Sequence, residues 1–181
     1  MRKQTVIVSA AAVAIAGVVS FAQSGTSKAT ATIKGDGISG TATLTERKQG
    51  TGTVVDITVT AKGLKPGLHG VHLHAVGKCE PDFAAAGGHF DPGPASNTDP
   101  DANHPFHMGD VPNLDVGADG SGTLKAVTTR VTLSDGPLSI FDSDGTAIII
   151  HGNPDKGTTG APKSGVSGGP RVGCGVFEKG S

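Results

Sequence analysis

Tryptophan and tyrosine are absent from the 181 residues, and six phenylalanines are the whole aromatic content. Charge of either sign is scarce too: fifteen basic and sixteen acidic side chains leave a formal net charge of −1. Without a basic excess, neither nucleic acid nor an anionic membrane surface is an attractive partner. Cys79 and Cys174 are the only cysteines, too few for an iron–sulfur cluster or an all-cysteine zinc site. Beyond residue 22 no apolar run is long enough to cross a membrane, and no stretch keeps a helical period.

The first 22 residues stand apart. Arg2 and Lys3 precede an uncharged, Ala-rich stretch over 5–22 that ends in Ser20-Phe21-Ala22. A basic start, an apolar middle and small residues at the end are the layout of a secretory signal peptide. An uncleaved anchor is the competing reading, because about eighteen residues just span a bilayer. The cleavage-like end favours removal, which leaves 23–181 as one domain and takes the formal charge from −1 to −3 through loss of Arg2 and Lys3. Export to the periplasm, the cell wall or the medium brings the cysteines into an oxidising compartment. A Cys79–Cys174 disulfide is then expected, as two cysteines allow one connectivity within a chain; two buried free thiols are the alternative.

What the chain has in abundance is glycine, 29 residues of it, together with threonine and valine in alternating runs. Ala29, Ala31 and Ile33 alternate with Thr30 and Thr32; Ala42 and Leu44 alternate with Thr41, Thr43 and Thr45; Val55, Ile57, Val59 and Ala61 alternate with Asp56, Thr58 and Thr60. A period of two gives a strand one buried and one wet face. Similar runs follow at 124–127, 131–133, 147–150 and 172–177, with Gly/Asp turn signals between them. About eight short strands of this kind predict an all-β, antiparallel barrel or sandwich.

Two stretches, 76–111 and 152–170, lack alternation and are rich in Gly, Pro, Asn and Asp. Loops of such length in a compact domain are usually functional, and these two hold or border nearly all the histidines and both cysteines. His72 and His74, two apart on a predicted strand, share one face while Val71 and Leu73 take the other. His89 lies in Gly87-Gly88-His89-Phe90-Asp91-Pro92; His104, His107 and Asp110 fall within seven residues; His151 ends the run 147–150. Imidazole and carboxylate donors without thiolate suit Cu(II) or Zn(II).

Five segments now resemble one family in order. They are His72-Leu73-His74, Cys79-Glu80-Pro81-Asp82-Phe83, Gly87-Gly88-His89-Phe90-Asp91-Pro92, His107-Met108-Gly109-Asp110 and Gly169-Pro170-Arg171-Val172-Gly173-Cys174-Gly175. Together they resemble the motifs of the Cu,Zn superoxide dismutases, of the exported bacterial type. The resemblance implies an eight-stranded antiparallel Greek-key β-barrel with two long functional loops. It implies copper held by His72, His74, His89 and His151, and zinc held by His89, His104, His107 and Asp110, so that His89 bridges the metals. Asp155 would be the carboxylate linking a copper histidine to a zinc histidine, and His69 a supporting residue facing away from copper. Arg171 would guide the anion, and the Cys79–Cys174 bridge would tether the first loop to its strand.

The chain departs from the family pattern in two places. Many members place the second zinc histidine nearer the bridging one, where this chain has Asn97; His104, just before Pro105, fits the His-Pro-x-His-x-Gly-Asp arrangement of shorter-looped relatives. Ala75 follows the ligand pair where an acidic residue is common.

The implied reaction turns two superoxide anions and two protons into dioxygen and hydrogen peroxide, an antioxidant role, with copper cycling between two oxidation states. Lys156 and Lys163 would add to the attracting field without a catalytic part. A copper-delivery domain on the same barrel would be expected to lack a copper histidine or the arginine, and a zinc-only module would leave His72, His74 and His151 without purpose. Gly-rich strands leave several faces open to self-association, a homodimer among them.

Overall fold

A computed structural model describes residues 26–93, 99–102 and 104–180. The expected signal peptide, residues 1–22, lies outside the described residues. The alternating runs become β1 (Ser27–Lys34), β2 (Ser39–Gln49) and β3 (Gly52–Lys62), joined by tight turns into an antiparallel meander. β4 (Gly67–His69) and β5 (Val71–His74) follow, then β6 (Leu114–Val116), β7 (Ser121–Thr128), β8 (Ala147–His151), β9 (Arg171–Val176) and a short β10 (Glu178–Lys179) beside β1. A 3-10 turn, Phe83–Ala86, begins at Asp82, whose carboxylate accepts the Ala84 N–H at 2.8 Å. Among the described residues no helix is long and apolar enough to cross a membrane.

The strand order is β4-β6-β7-β3-β2-β1-β9-β8-β5, and all these pairings are antiparallel. Its two ends are consecutive in sequence. β4 and β5 are one segment broken only at Gly70, so one stretch of chain supplies both edges and nearly closes the sheet into a barrel. Counted that way there are eight strands, the expected number, with β10 as an addition. The chain leaving β3 passes β7 and β6 to reach β4, which is the Greek-key crossing.

Val55, Ile57, Val59 and Ala61 of β3 point inward with Ala29, Ala31 and Ile33 of β1, as the alternation requires. β8 differs, being buried on both faces. Ile148 and Ile150 enter the barrel core, while Ala147 and Ile149 join Ala86, Cys174, Cys79 and Phe83 in a second cluster. Each such isoleucine contributes about 1.5–3 kcal/mol of burial. The first long loop therefore lies against the outer face of β8, stapled there by the Cys79–Cys174 disulfide.

The run 131–133 is not a strand. Val131 and Leu133 are buried, but the segment makes only a single bridge, Thr132 to Ser139. Thr132 N–H donates to Leu138 O at 2.8 Å, and beyond it a carboxylate takes over, since Glu46 accepts from Leu133 N–H at 2.6 Å and Ser134 N–H at 3.0 Å. Alternation alone does not distinguish a strand from a loop whose two anchors fall two residues apart. β6 was missed for the opposite reason: its three residues are too few to show a period.

Candidate metal centre

The site grows from the register of β5. Val71 and Leu73 are in the core, so His72 and His74 must project from the barrel's outer face. There the first loop pairs with them: His74 bridges to His89 and His72 to Asp110. Phe90 N–H donates to Leu73 O and Leu73 N–H to Gly109 O, both at 2.9 Å. On the other side, β8 pairs with β5 and ends at His151. Gly168 of the second loop packs on that histidine; a β-carbon there would lie 2.7 Å from His151 Cβ, and the backbone has φ +112°. Only glycine suits both conditions.

Each ring has one nitrogen committed, which fixes its tautomer. His72 Nε2–H donates to Asp155 Oδ2 at 2.9 Å, His74 Nδ1–H to Gly87 O at 3.0 Å, and His151 Nδ1–H to Gly169 O at 3.0 Å. The remaining nitrogens, Nδ1 of His72 and Nε2 of His74, His89 and His151, are buried and have no hydrogen-bond partner among the described residues. Ligand atoms of these four histidines lie within 4.8 Å of one another. Four lone pairs converging in a buried space, with no donor to meet them, fit a cation.

A second set adjoins the first through His89. Its Nδ1 lies 2.7 Å from Asp110 Oδ1, while Nδ1 of His107 and Nδ1 of His104 each lie 3.2 Å from Asp110 Oδ2. The His104 contact is off the line a hydrogen bond needs, so that nitrogen is also without a partner. The atoms of His72, His89, His104 and Asp110 lie within 4.8 Å of one another. His72 belongs to that foursome by proximity, since its Nε2 is spent on Asp155; His107, outside it, reaches Asp110 by ring and by backbone N–H, the latter at 3.0 Å. His104 Nε2–H donates to Asp155 Oδ1 at 2.6 Å, so Asp155 joins the two sets.

Electrostatics follow from burial. Desolvation pushes His89 down to about 4 and His151 to about 3, and lowers His74 well below its ordinary value. These rings are neutral at ordinary pH, as ligands must be. Burial also works against the protonated form of His104, but the nearby carboxylates of Asp110 and Asp155 raise it to about 9. Burial opposes ionisation of Asp110 and Asp155 as well, yet hydrogen bonds from the surrounding histidines hold both far below the usual carboxylate range.

Arg171, half-buried at the start of β9, donates from Nη1 to Phe83 O and from Nη2 to Gly87 O, both at 2.6 Å. Its positive charge contributes to the lowering of His74 and His151. His69 is buried behind the site, its ring nitrogens 2.7 Å from His151 O and 2.8 Å from Lys65 O. The structure thus brings together the six clustered histidines, Asp110, Asp155 and Arg171 singled out from the sequence, with His69 behind them. Sequence reasoning missed two supports. The Asn113 amide exchanges two hydrogen bonds with the backbone of Asp155, both at 2.9 Å. Arg130 donates to the carbonyls of Pro105 and His107 at 3.2 Å. A lone Asn or Arg beside a loop carries no periodic signal.

The family profile described as copper/zinc superoxide dismutase matches residues 38–177. The chain belongs to the copper/zinc superoxide dismutase family. A superoxide dismutase [Cu-Zn] of Deinococcus radiodurans is 40% identical over 152 residues, 78% of each chain. One from Caulobacter vibrioides is 39% identical over 160 residues, covering 83% of this chain and 85% of its own. Superoxide dismutase [Cu-Zn] 2 of Brassica juncea is 39% identical over 146 residues, 78% of this chain and 90% of that one. Among solved structures, that of the clock protein EA4 superposes with a TM-score of 0.68 at 27% identity, over 84% of this chain and 94% of the other. Copper and zinc, the family's metals, suit the two donor sets: four imidazoles in one, imidazoles with a carboxylate in the other.

Proposed function

We propose that this chain dismutates superoxide, with copper held by His72, His74, His89 and His151, and zinc by His89, His104, His107 and Asp110. The observation that carries the reading is the convergence of four unpartnered imidazole nitrogens beside a half-buried arginine. When bound, copper would supply the electron exchange with superoxide and zinc would polarise the imidazole of His89.

The protein's own groups do the rest. Arg171 commits two of its five N–H groups to carbonyls, and the others remain to meet a small anion. His89 presents Nε2 to the first set and Nδ1 to Asp110, so Nε2, whenever it is not ligating, would be the atom that takes up a proton and hands it to the product. Asp155 keeps His72 and His104 in the tautomers that ligation needs. His69 braces the carbonyl of His151. Little substrate has to be bound, so attraction of the anion governs the rate.

The test is dismutation by the protein carrying one copper and one zinc. Correct metal content with no activity above buffer would sink the reading.

We also propose that residues 1–22 are a cleaved signal peptide and that 23–181 act outside the cytoplasm against superoxide there. The disulfide supports this, as oxidised cysteines persist in exported proteins. The mature protein should begin at Gln23 and be found outside the cytoplasmic fraction. Retention of Met1 in that fraction would contradict it.

A further inference from the structure

We infer that Asp101, a carboxylate in neither metal set, is the positioning residue that holds Asp155 against His72 and His104 and thereby governs how long zinc is retained; this rests on the zinc assignment proposed above. Asp101 is 3% exposed. Among the described residues, the donors it meets belong to the second loop. Its carboxylate accepts from Gly165 N–H at 2.8 Å, Ser167 N–H at 3.0 Å and Ser167 Oγ at 2.8 Å, and its carbonyl accepts from Gly160 N–H at 2.8 Å. Burying a carboxylate is costly unless its oxygens are met, and here three donors meet them. Asp99 fixes the direction of approach, its Oδ1 accepting from the N–H groups of Asp101 and Ala102 at 3.0 Å.

The grip reaches the metal centre in one step. Ser167 is the antiparallel bridge partner of Asp155, and Lys156 N–H donates to Val166 O at 2.8 Å. Holding 165–167 therefore holds 155–156. Three residues after Asp101, His104 grips the same loop, through Asp155 at 2.6 Å and through its own carbonyl, which accepts from Thr159 Oγ1 at 2.6 Å. Asp101, His104, Asp155 and Ser167 thus close a ring of contacts between the two loops. Without the Asp101 link, the Ser167 side keeps Asp155 in place through loop backbone bonds such as Lys156 N–H to Val166 O and Asn153 N–H to Gly168 O, which move with the loop, while Asn113 holds its backbone from the barrel side. A loop staple for general stability would not work through Asp155, and this difference is measurable.

The experiment follows zinc release from the copper- and zinc-loaded protein into a strong chelator, for the parent, Asp101→Asn, Asp155→Asn and the double variant. Outer-sphere partners of this kind usually govern metal affinity by about 10–100-fold. Asp101→Asn should therefore release zinc about tenfold faster. The double variant should release it no faster than Asp155→Asn alone, because Asp101 acts through Asp155. Unchanged release in Asp101→Asn, or two effects that multiply independently, overturns the inference. If Asp101→Asn does not fold, Ser167→Ala removes one donor and should speed release about two- to tenfold; no change there overturns it equally. A parent protein that takes up no zinc would instead refute the zinc assignment.

Discussion

Arg171 and His74 end on the same oxygen. The Gly87 carbonyl accepts Nη2–H of Arg171 at 2.6 Å and Nδ1–H of His74 at 3.0 Å. One carbonyl of the first loop therefore fixes both the tautomer of a histidine proposed to hold copper and the position of the guanidinium. That loop segment lies under the disulfide cluster and against β8. The proposed guidance of substrate and the proposed copper ligation thus share one support.

Removing the guanidinium while leaving the carbonyl separates the two roles. Arg171→Ala should lower the dismutation rate about tenfold at low ionic strength, within the range that electrostatic guidance supplies. The deficit should shrink as salt is added, because screening removes the attraction from the parent as well. Copper content should stay at parent level, since His74 keeps its own bond to Gly87. Rate constants across a salt series, with metal analysis, check both statements; a deficit independent of salt would count against guidance.

His104 is the residue whose metal role depends most on a departure from the family spacing. Metal analysis of His104→Ala should show zinc lost and copper retained, because the four nitrogens of the copper set do not include it. Unchanged zinc occupancy would remove His104 from the assignment.

The two sets should also differ in their response to pH. The metal-free protein holds a proton on His104 up to about 9, raised there by Asp110 and Asp155 against the effect of burial. The zinc-bound form cannot keep that proton on the ligating nitrogen. The metal-free state thus binds more protons, and zinc affinity must rise with pH until it passes about 9. The slope from this one group approaches tenfold per pH unit below that value. His74, His89 and His151, pushed down chiefly by desolvation, have shed their protons well below neutrality. Chelator competition at pH 6, 7 and 8 should find zinc affinity climbing steeply, with no matching proton release from these three copper-set rings.

How much of this was legible beforehand depends on range. His72 and His74 announce themselves by a spacing of two on a strand, and His104, His107 and Asp110 by crowding. The barrel is readable where threonine alternates with aliphatic residues over a whole strand, as in β3. Legibility fails where partners are distant in sequence and single. Asn113 meets Asp155, and Asp101 meets Ser167, only because the barrel closes and lays one loop on the other. No local pattern encodes such a pair. The run 147–150 reads with the alternating strands, yet β8 is buried on both faces, because the first loop, distant in sequence, covers its outer side.

That covering layer makes a last prediction. Cys79 and Cys174 close a loop with a sequence separation of 95, and they sit in the cluster with Ala86, Ala147 and Ile149. Chain entropy alone gives such a link about 2–5 kcal/mol. Cys79→Ser should lower stability by an amount in that range, read by denaturant unfolding of the metal-free protein. The loss should extend beyond stability. With the staple gone, the first loop is free to lift from β8, taking Gly87 O away from Arg171 and His74 together. Reduction of the parent should therefore lower the dismutation rate and increase copper release in parallel, even at temperatures where the barrel stays folded. A reduced protein that keeps full activity and parent copper retention would show that the loop holds its place by packing alone.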